Sequence, residues 1–402
     1  MNYITRESKF FPIILALFAA LPPLAVNTYA PAISLIAQDF GITDSQVLTT
    51  FATYFVGFSF GMLFWGAVSD KYGRKKIIII GSIIYILSTI LCSYSTSFTM
   101  LETLRFVQGL SDSVGGVIAF SIARDCYKGA KLTNMVASII VIILIAPIIA
   151  PIIGTVFTNL IGTWQSTFYF LTFYGVIILI AALLIEETLE PKNRQISILK
   201  IAPSYFQHLT NPGFMLATIA GGSTFAALLI YISSSAIIYL EQYSTGSVLY
   251  CIYYGICAIA SILANLFIKK HSHKIKDIKY TYYSIAALAV SCIALAIFNY
   301  LNIDNAFIYT IVMFILCATV AFICTILYSF SINQVEHNFG TANSISNFIK
   351  NMIAASGSFI VSYYHGRNLI LASPIVQLGF IAITVLILFV IYKMKIDSKM
   401  AE

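Results

Sequence analysis

Three ionisable side chains sit inside long apolar runs of the sequence: Arg105, Asp112 and Lys350. A charge at membrane depth is costly unless it is paired or wet, so each is a candidate for function. Arg105 and Asp112 are seven residues apart, two helical turns along and on one stripe. Arg105 has two readings: a cation lining a cavity, or a structural partner of Glu102 three residues back on the same face. A direct bond to Asp112 is disfavoured, because a helical arginine points back toward its own N-terminus. Asp112 is the acid placed deepest in an apolar run, and a buried carboxyl is suited to binding and releasing a proton. By the helical rise it lies about 15 Å from the inner end of its helix, and Lys350 about 13 Å along its own. Opposite charges therefore fall at similar depth in the two halves of the chain. Around Lys350, the residues Asn343, Asn347, Asn351 and Ser358 recur at three- and four-residue spacing. That stripe either faces a cavity or stitches helices together by hydrogen bonds.

Other chemistry finds no support. No nucleophile, base and orienting acid assemble into a motif, so no enzyme is expected. The seven cysteines are odd in number and contain no CxxC, which fits small core residues. His271 and His273 lie in a basic run without acidic or thiol ligands, so no metal and no cofactor are expected.

The elements that position these groups follow from composition. Of 402 residues, 59% are hydrophobic and 10% charged, and the mean hydropathy is +0.90. A soluble domain is about 45–50% apolar and about 25% charged. A spanning helix takes about 20 apolar residues. Apolar windows predict twelve spans, near 10–31, 46–68, 77–96, 99–122, 133–158, 166–186, 212–239, 246–268, 280–300, 305–330, 341–364 and 371–393. The run from residue 10 follows Arg6 and Lys9 as a signal peptide would, but no small-x-small cleavage site closes it, so it is kept as the first span. The longest polar link, 187–211, divides the chain into six-helix lobes at 1–186 and 212–402. With the N-terminus inside, 20 of the 23 Lys and Arg residues fall in inner segments, which places both termini in the cytoplasm. The basic pI of 8.9 reflects these short loops and not a nucleic-acid-binding face.

Between spans 2 and 3 stand Gly66, Asp70, Lys71, Gly73 and Arg74, in the spacing Gly-x3-Asp-Lys-x-Gly-Arg-Lys-Lys. Read blandly, this is a positive inner loop. The full spacing resembles motif A of the major facilitator superfamily. Arg105, within Leu104 to Gly109, resembles the arginine of motif B. Pro147, Pro151 and Gly154 resemble motif C of drug antiporters. The segment Asn27-Thr-Tyr29-Ala-Pro31-Ala32 is similar to the Asp-x-Tyr-x-Pro-Ala segment of the Bcr/CflA branch. Arg124-Asp125, Trp164 and Glu187-Thr188-Leu189 match that branch too. The motif likeness covers about residues 24–190; the second half matches only in helix count. Two departures stand out: Asn27 replaces the usual acid, and Gln165 the usual Arg.

The resemblance implies an all-α membrane protein of twelve helices in two lobes. It implies a proton-coupled antiporter that exports drugs or small metabolites by alternating access, a monomer in a bacterial inner membrane. Its partners would be a small-molecule cargo, protons and the bilayer, with no nucleic acid. Asn27 cannot take up a proton, so Asp112 is expected to couple, with Arg105, Lys350, Asn27 and Tyr29 around the cavity. Pro147, Pro151 and Gly154 are expected to bend helix 5 and bring it close to the opposite lobe. Two rivals remain: an anionic cargo such as a carboxylate metabolite or siderophore, favoured by Arg105 and Lys350 outnumbering Asp112, and a transporter-like sensor that moves nothing.

Overall fold

The computed structural model describes residues 4, 7–8, 10–190, 202–271, 279–301, 305–335, 339–363 and 369–394. The parts of the expected link at 191–201, His273 and the last residues of the chain lie outside these. Among the described residues are twelve long helices: α1 (Phe11–Asn27), α2 (Thr49–Tyr72), α3 (Arg74–Ser93), α4 (Phe98–Cys126), α5 (Gly129–Ile161), α6 (Gln165–Leu184), α7 (Pro212–Ala236), α8 (Ser247–His271), α9 (Lys279–Tyr300), α10 (Ala306–Asn333), α11 (Phe339–Ser362) and α12 (Leu369–Lys393). Each lies on one of the apolar windows. Ten helical stretches are long and apolar enough to cross a membrane. Of the other two, α11 falls short because Asn343, Asn347, Lys350 and Asn351 dilute its apolarity, and several side chains of α9 lie outside the described residues.

Helix ends follow local chemistry. Gly73 begins α3 at φ +100°, a conformation that suits glycine alone, so motif A's second glycine makes the α2–α3 turn. Ser97 caps α4 by accepting from the Met100 amide at 3.2 Å, and Asn211 caps α7 from the Phe214 amide at 3.1 Å. Past Asn27, α1 continues through a 3₁₀ turn at Ala30–Ala32 into a short helix, Ile33–Phe40.

The chain forms two compact units, Met1–Phe40 with Thr53–Ala202, and Gly41–Ala52 with Pro203–Glu402. In the first, α1 packs on α4 and α5, and α3 on α4 and α6; in the second, α7 packs on α10, α11 and α12, and α8 on α10. Outer faces carry exposed apolar side chains such as Leu87, Leu160, Phe173 and Leu386. Apolar faces of that extent belong against lipid, and the protein is a multi-pass membrane protein.

Candidate functional site

Helices α2 and α4 touch backbone to backbone. A Cβ on Gly57 would lie 2.0 Å from the Phe106 carbonyl oxygen, one on Gly61 2.3 Å from that of Leu110, and one on Gly109 2.0 Å from that of Tyr54. Small residues at helix contacts allow such approach in lipid, where packing and hydrogen bonds drive association. Trp65 locks the pair, its indole N–H donating to the Leu110 carbonyl at 2.6 Å. This seam sets Tyr54 of α2 directly over the charged stripe of α4.

There a cation lies between two rings. The Arg105 guanidinium carbon is 4.7 Å from the Tyr29 ring centroid and 4.4 Å from that of Tyr54. All three side chains are fully buried. Face-on aromatic contact replaces part of the lost hydration, worth about 2 kcal/mol when desolvated. One nitrogen, Nη1, donates to Gln108 Oε1, and Gln108 passes the chain on to Thr89 of α3 at 2.9 Å. The other edge, Nε and Nη2, has no hydrogen-bond partner.

Seven residues on, the equally buried Asp112 accepts a hydrogen bond at Oδ2 from the Tyr54 hydroxyl, while its Oδ1 has no partner. One tyrosine thus lays its ring on the arginine and its hydroxyl on the acid. Among the described residues the ion pairs are both made by Arg74, so neither Arg105 nor Asp112 is held in one. The site can therefore accept an anion at one end and a proton or a donor at the other.

Most of the expected residues come together here. Tyr29 lies edge-on to Phe168 at 5.6 Å, Phe168 meets Trp164 at 5.8 Å, and the Trp164 indole donates to Asp39 at 2.7 Å. The branch-matching tryptophan so anchors the far end of α1's extension. Asn27 donates to the Pro23 carbonyl at 2.7 Å, one turn back on the same helix. The alternative partnership of Arg105 with Glu102 gives way to Gln108 and the two rings. Lys350, by contrast, belongs to the second unit, half-buried with its ammonium 5.2 Å above the Phe225 ring. Its stripe divides: Ser358 is buried in a seam with Ser233 at 3.2 Å, whereas Asn343 is exposed and accepts from Tyr328 and Asn347 at 2.8 Å.

The α2–α3 loop is built around one arginine. Arg74 pairs with Asp70, donates from Nε to Asp125 at 2.9 Å and from Nη1 to Ser69 at 2.6 Å. Glu187, beyond α6, accepts from the backbone amides of Arg74 and Lys75 at 2.9 and 3.3 Å. A carboxylate there satisfies orphan donors at the start of α3 and complements its dipole. The motif residues Asp70, Arg74, Asp125 and Glu187 are thus one network tying the ends of α2, α4 and α6. Lys71 lies 5.0 Å over the Tyr72 ring, and Gly66 faces Val117 in ordinary contact.

Gly154 of α5 makes a close approach within its own unit: a Cβ there would lie 2.2 Å from the Thr28 carbonyl oxygen, just past the end of α1. Pro147 and Pro151 lie inside a helix that runs on through both. Sequence reasoning also missed Gln108, Thr89 and the pivotal place of Tyr54. The one available signal was Gly57-x3-Gly61, a small-residue face that points to a close helix contact.

The description Major Facilitator Superfamily matches residues 15–358 of the chain. A relative in Bacillus subtilis, an uncharacterised MFS-type transporter named YdgK, is 27% identical over 94% of this chain and 93% of its own. A bicyclomycin resistance protein homolog of Haemophilus influenzae is 28% identical over 59% of this chain, and the multidrug resistance protein MdtL of Klebsiella pneumoniae 27% over 55%. The chain spans 60% and 56% of the length of these last two. Among solved structures, the xylose transporter XylE from E. coli, in a partially occluded inward-open conformation, covers 96% of the chain and matches over 98% of its own, with a TM-score of 0.71 at 10% identity. A bacterial homolog of the human lysosomal transporter Spinster gives a TM-score of 0.68 at 14% identity, covering 95% of this chain and 96% of its own.

Proposed function

The chain belongs to the major facilitator superfamily, and from that premise we propose that it exports small organic molecules across a bacterial inner membrane, coupled to protons through Asp112. The observation that carries this reading is the state of Asp112: fully buried, outside any ion pair among the described residues, and bonded at one oxygen by a neutral hydroxyl. A carboxylate locked in a salt bridge keeps its charge through a transport cycle. One held by a tyrosine hydroxyl can take up a proton without breaking a direct ion pair.

Alternating access supplies the rest. Transporters of this architecture rock two lobes about a midplane site. Asp112 takes a proton when the site faces the acidic side and releases it when cargo arrives or the site faces the cytoplasm. Both termini are assigned to the cytoplasm by the lysine and arginine bias of the loops. Export, as against uptake, is supported by the drug-resistance names of two relatives. The Arg74 network stabilises the inner ends of α2, α4 and α6 as one block, a support for the gate there.

The experiment compares culture media of cells producing the wild type and Asp112→Asn at equal membrane abundance. The wild type should enrich at least one compound in the medium, and the variant should not. Equal enrichment by both overturns the role of Asp112.

A further inference from the structure

The site leaves two groups of opposite kind without partners, the Nε/Nη2 edge of Arg105 and Oδ1 of Asp112. Both side chains are fully buried. The Nε/Nη2 edge presents two parallel N–H groups, the fork that grips both oxygens of one carboxylate. The free carboxylate oxygen asks for a donor, and an ammonium is the strongest. A single tyrosine spans the gap, ring on the guanidinium and hydroxyl on the acid. A ligand of about that length, anionic at one end and cationic at the other, can meet the two unpartnered groups while Tyr54 keeps its ring on the guanidinium and its hydroxyl on Oδ2.

We propose that the cargo is a zwitterion of the amino acid or short peptide kind, its carboxylate on the Arg105 edge and its ammonium on Asp112. A purely cationic cargo would leave the guanidinium edge unpartnered. A purely anionic one would bring a second negative charge beside Asp112. Taking Asp112 as the proton carrier, as proposed above, the same carboxyl holds either a proton or an ammonium. The exchange balances: protonated Asp112 plus zwitterion gives an ion-paired complex, and one proton passes to water. Cargo and proton exclude each other, the condition for antiport. The titratable groups that face Asp112 are Tyr54 of α2, Tyr85 of α3, Arg105 of α4 and Tyr174 of α6.

The test uses the purified full-length protein in detergent. Its melting temperature is measured with each of the twenty protein amino acids and their alanyl dipeptides, and the best probe is repeated as its C-terminal amide and its N-acetyl derivative. The free zwitterion should stabilise the protein, with each derivative binding about tenfold more weakly or worse, because a site built for a polar group rejects the analogue lacking it. Arg105→Lys keeps a cation between the rings but loses the fork, so parent and amide should become equal. In Asp112→Asn, parent and N-acetyl form should become equal, and the proton release that accompanies wild-type binding in unbuffered solution should vanish. If Arg105→Lys fails to fold, the two derivatives on the wild type decide alone. No stabilisation by any member of the panel, or derivatives that bind as well as the parent, overturns the zwitterion. Export that still depends on Asp112 in that case leaves the proton role standing, so the two failures are distinguishable.

Discussion

Replacing Gly109 by alanine should damage the molecule at its centre, whereas the same change at Gly116 on the same helix should not. A Cβ at 109 would stand 2.0 Å from the Tyr54 carbonyl oxygen, a backbone atom that cannot swing aside. Ordinary contact begins at 3.4 Å, so α2 and α4 must part by about 1.4 Å. Overpacking of this kind costs about 1–3 kcal/mol. The separation also stretches the Trp65–Leu110 bond beyond its 2.6 Å, a loss of about 0.6 kcal/mol for an average hydrogen bond between membrane helices. Gly116 has no atom within 4 Å of its added Cβ. Alanine there removes a flexible helical position and should be neutral or gain about 0.5–1 kcal/mol. The expected gap between the two variants is therefore about 2–4 kcal/mol, measured by reversible unfolding in mixed micelles. Because Tyr54 moves with α2, Gly109→Ala should also lose the proton dependence of export before it loses the fold. Combined with Gly57→Ala, the effects should be less than additive, since both push apart one helix pair. If Gly109→Ala is as stable as Gly116→Ala, or strictly additive with Gly57→Ala, the backbone contact of α2 and α4 is wrong.

Further outcomes follow from the inner loop and from α5. Asp70→Asn removes one charge from the Arg74 network but leaves Asp125 and Glu187 in place, so export should fall severalfold while the protein stays folded in the membrane; unchanged export at normal abundance would remove the loop from the gate. Gly154→Val should destabilise by about 1–3 kcal/mol through its clash with the Thr28 carbonyl, whereas Pro151→Ala should slow exchange more than it lowers stability. Equal thermal melts for Gly154→Val and wild type would refute the first, and a Pro151→Ala that only lowers abundance the second.

Much of the architecture is legible in the residues because lipid allows few solutions. Apolar runs of spanning length had to be helices, and all twelve windows hold one. The Asp70–Arg74 pairing was readable too, since both partners lie within one helical turn of a rigid loop. Harder to read was anything that depends on which face meets which. Tyr54 is one of 25 tyrosines, and its position over Arg105 and Asp112 exists because glycines on two helices, far apart in sequence, interlock. Glu102 and Gln108 both stand three residues from Arg105, and the partners found are Gln108 and two rings that offer it a dry site. Gly154 announced a close approach without naming Thr28 as the surface approached. Asp112 itself was visible as a charge out of place, and the tyrosine that makes it useful was not.

The decisive measurement is uphill transport in proteoliposomes by the wild type and Asp112→Asn. The vesicles are given the compound that the wild type enriches in the medium, with a pH gradient imposed and the membrane potential clamped. The wild type should concentrate the compound against its gradient until the pH difference is collapsed. Asp112→Asn should only equilibrate it, at the same rate with or without the pH gradient. Accumulation against the gradient by Asp112→Asn, driven by pH alone, would contradict the assignment of the proton to Asp112.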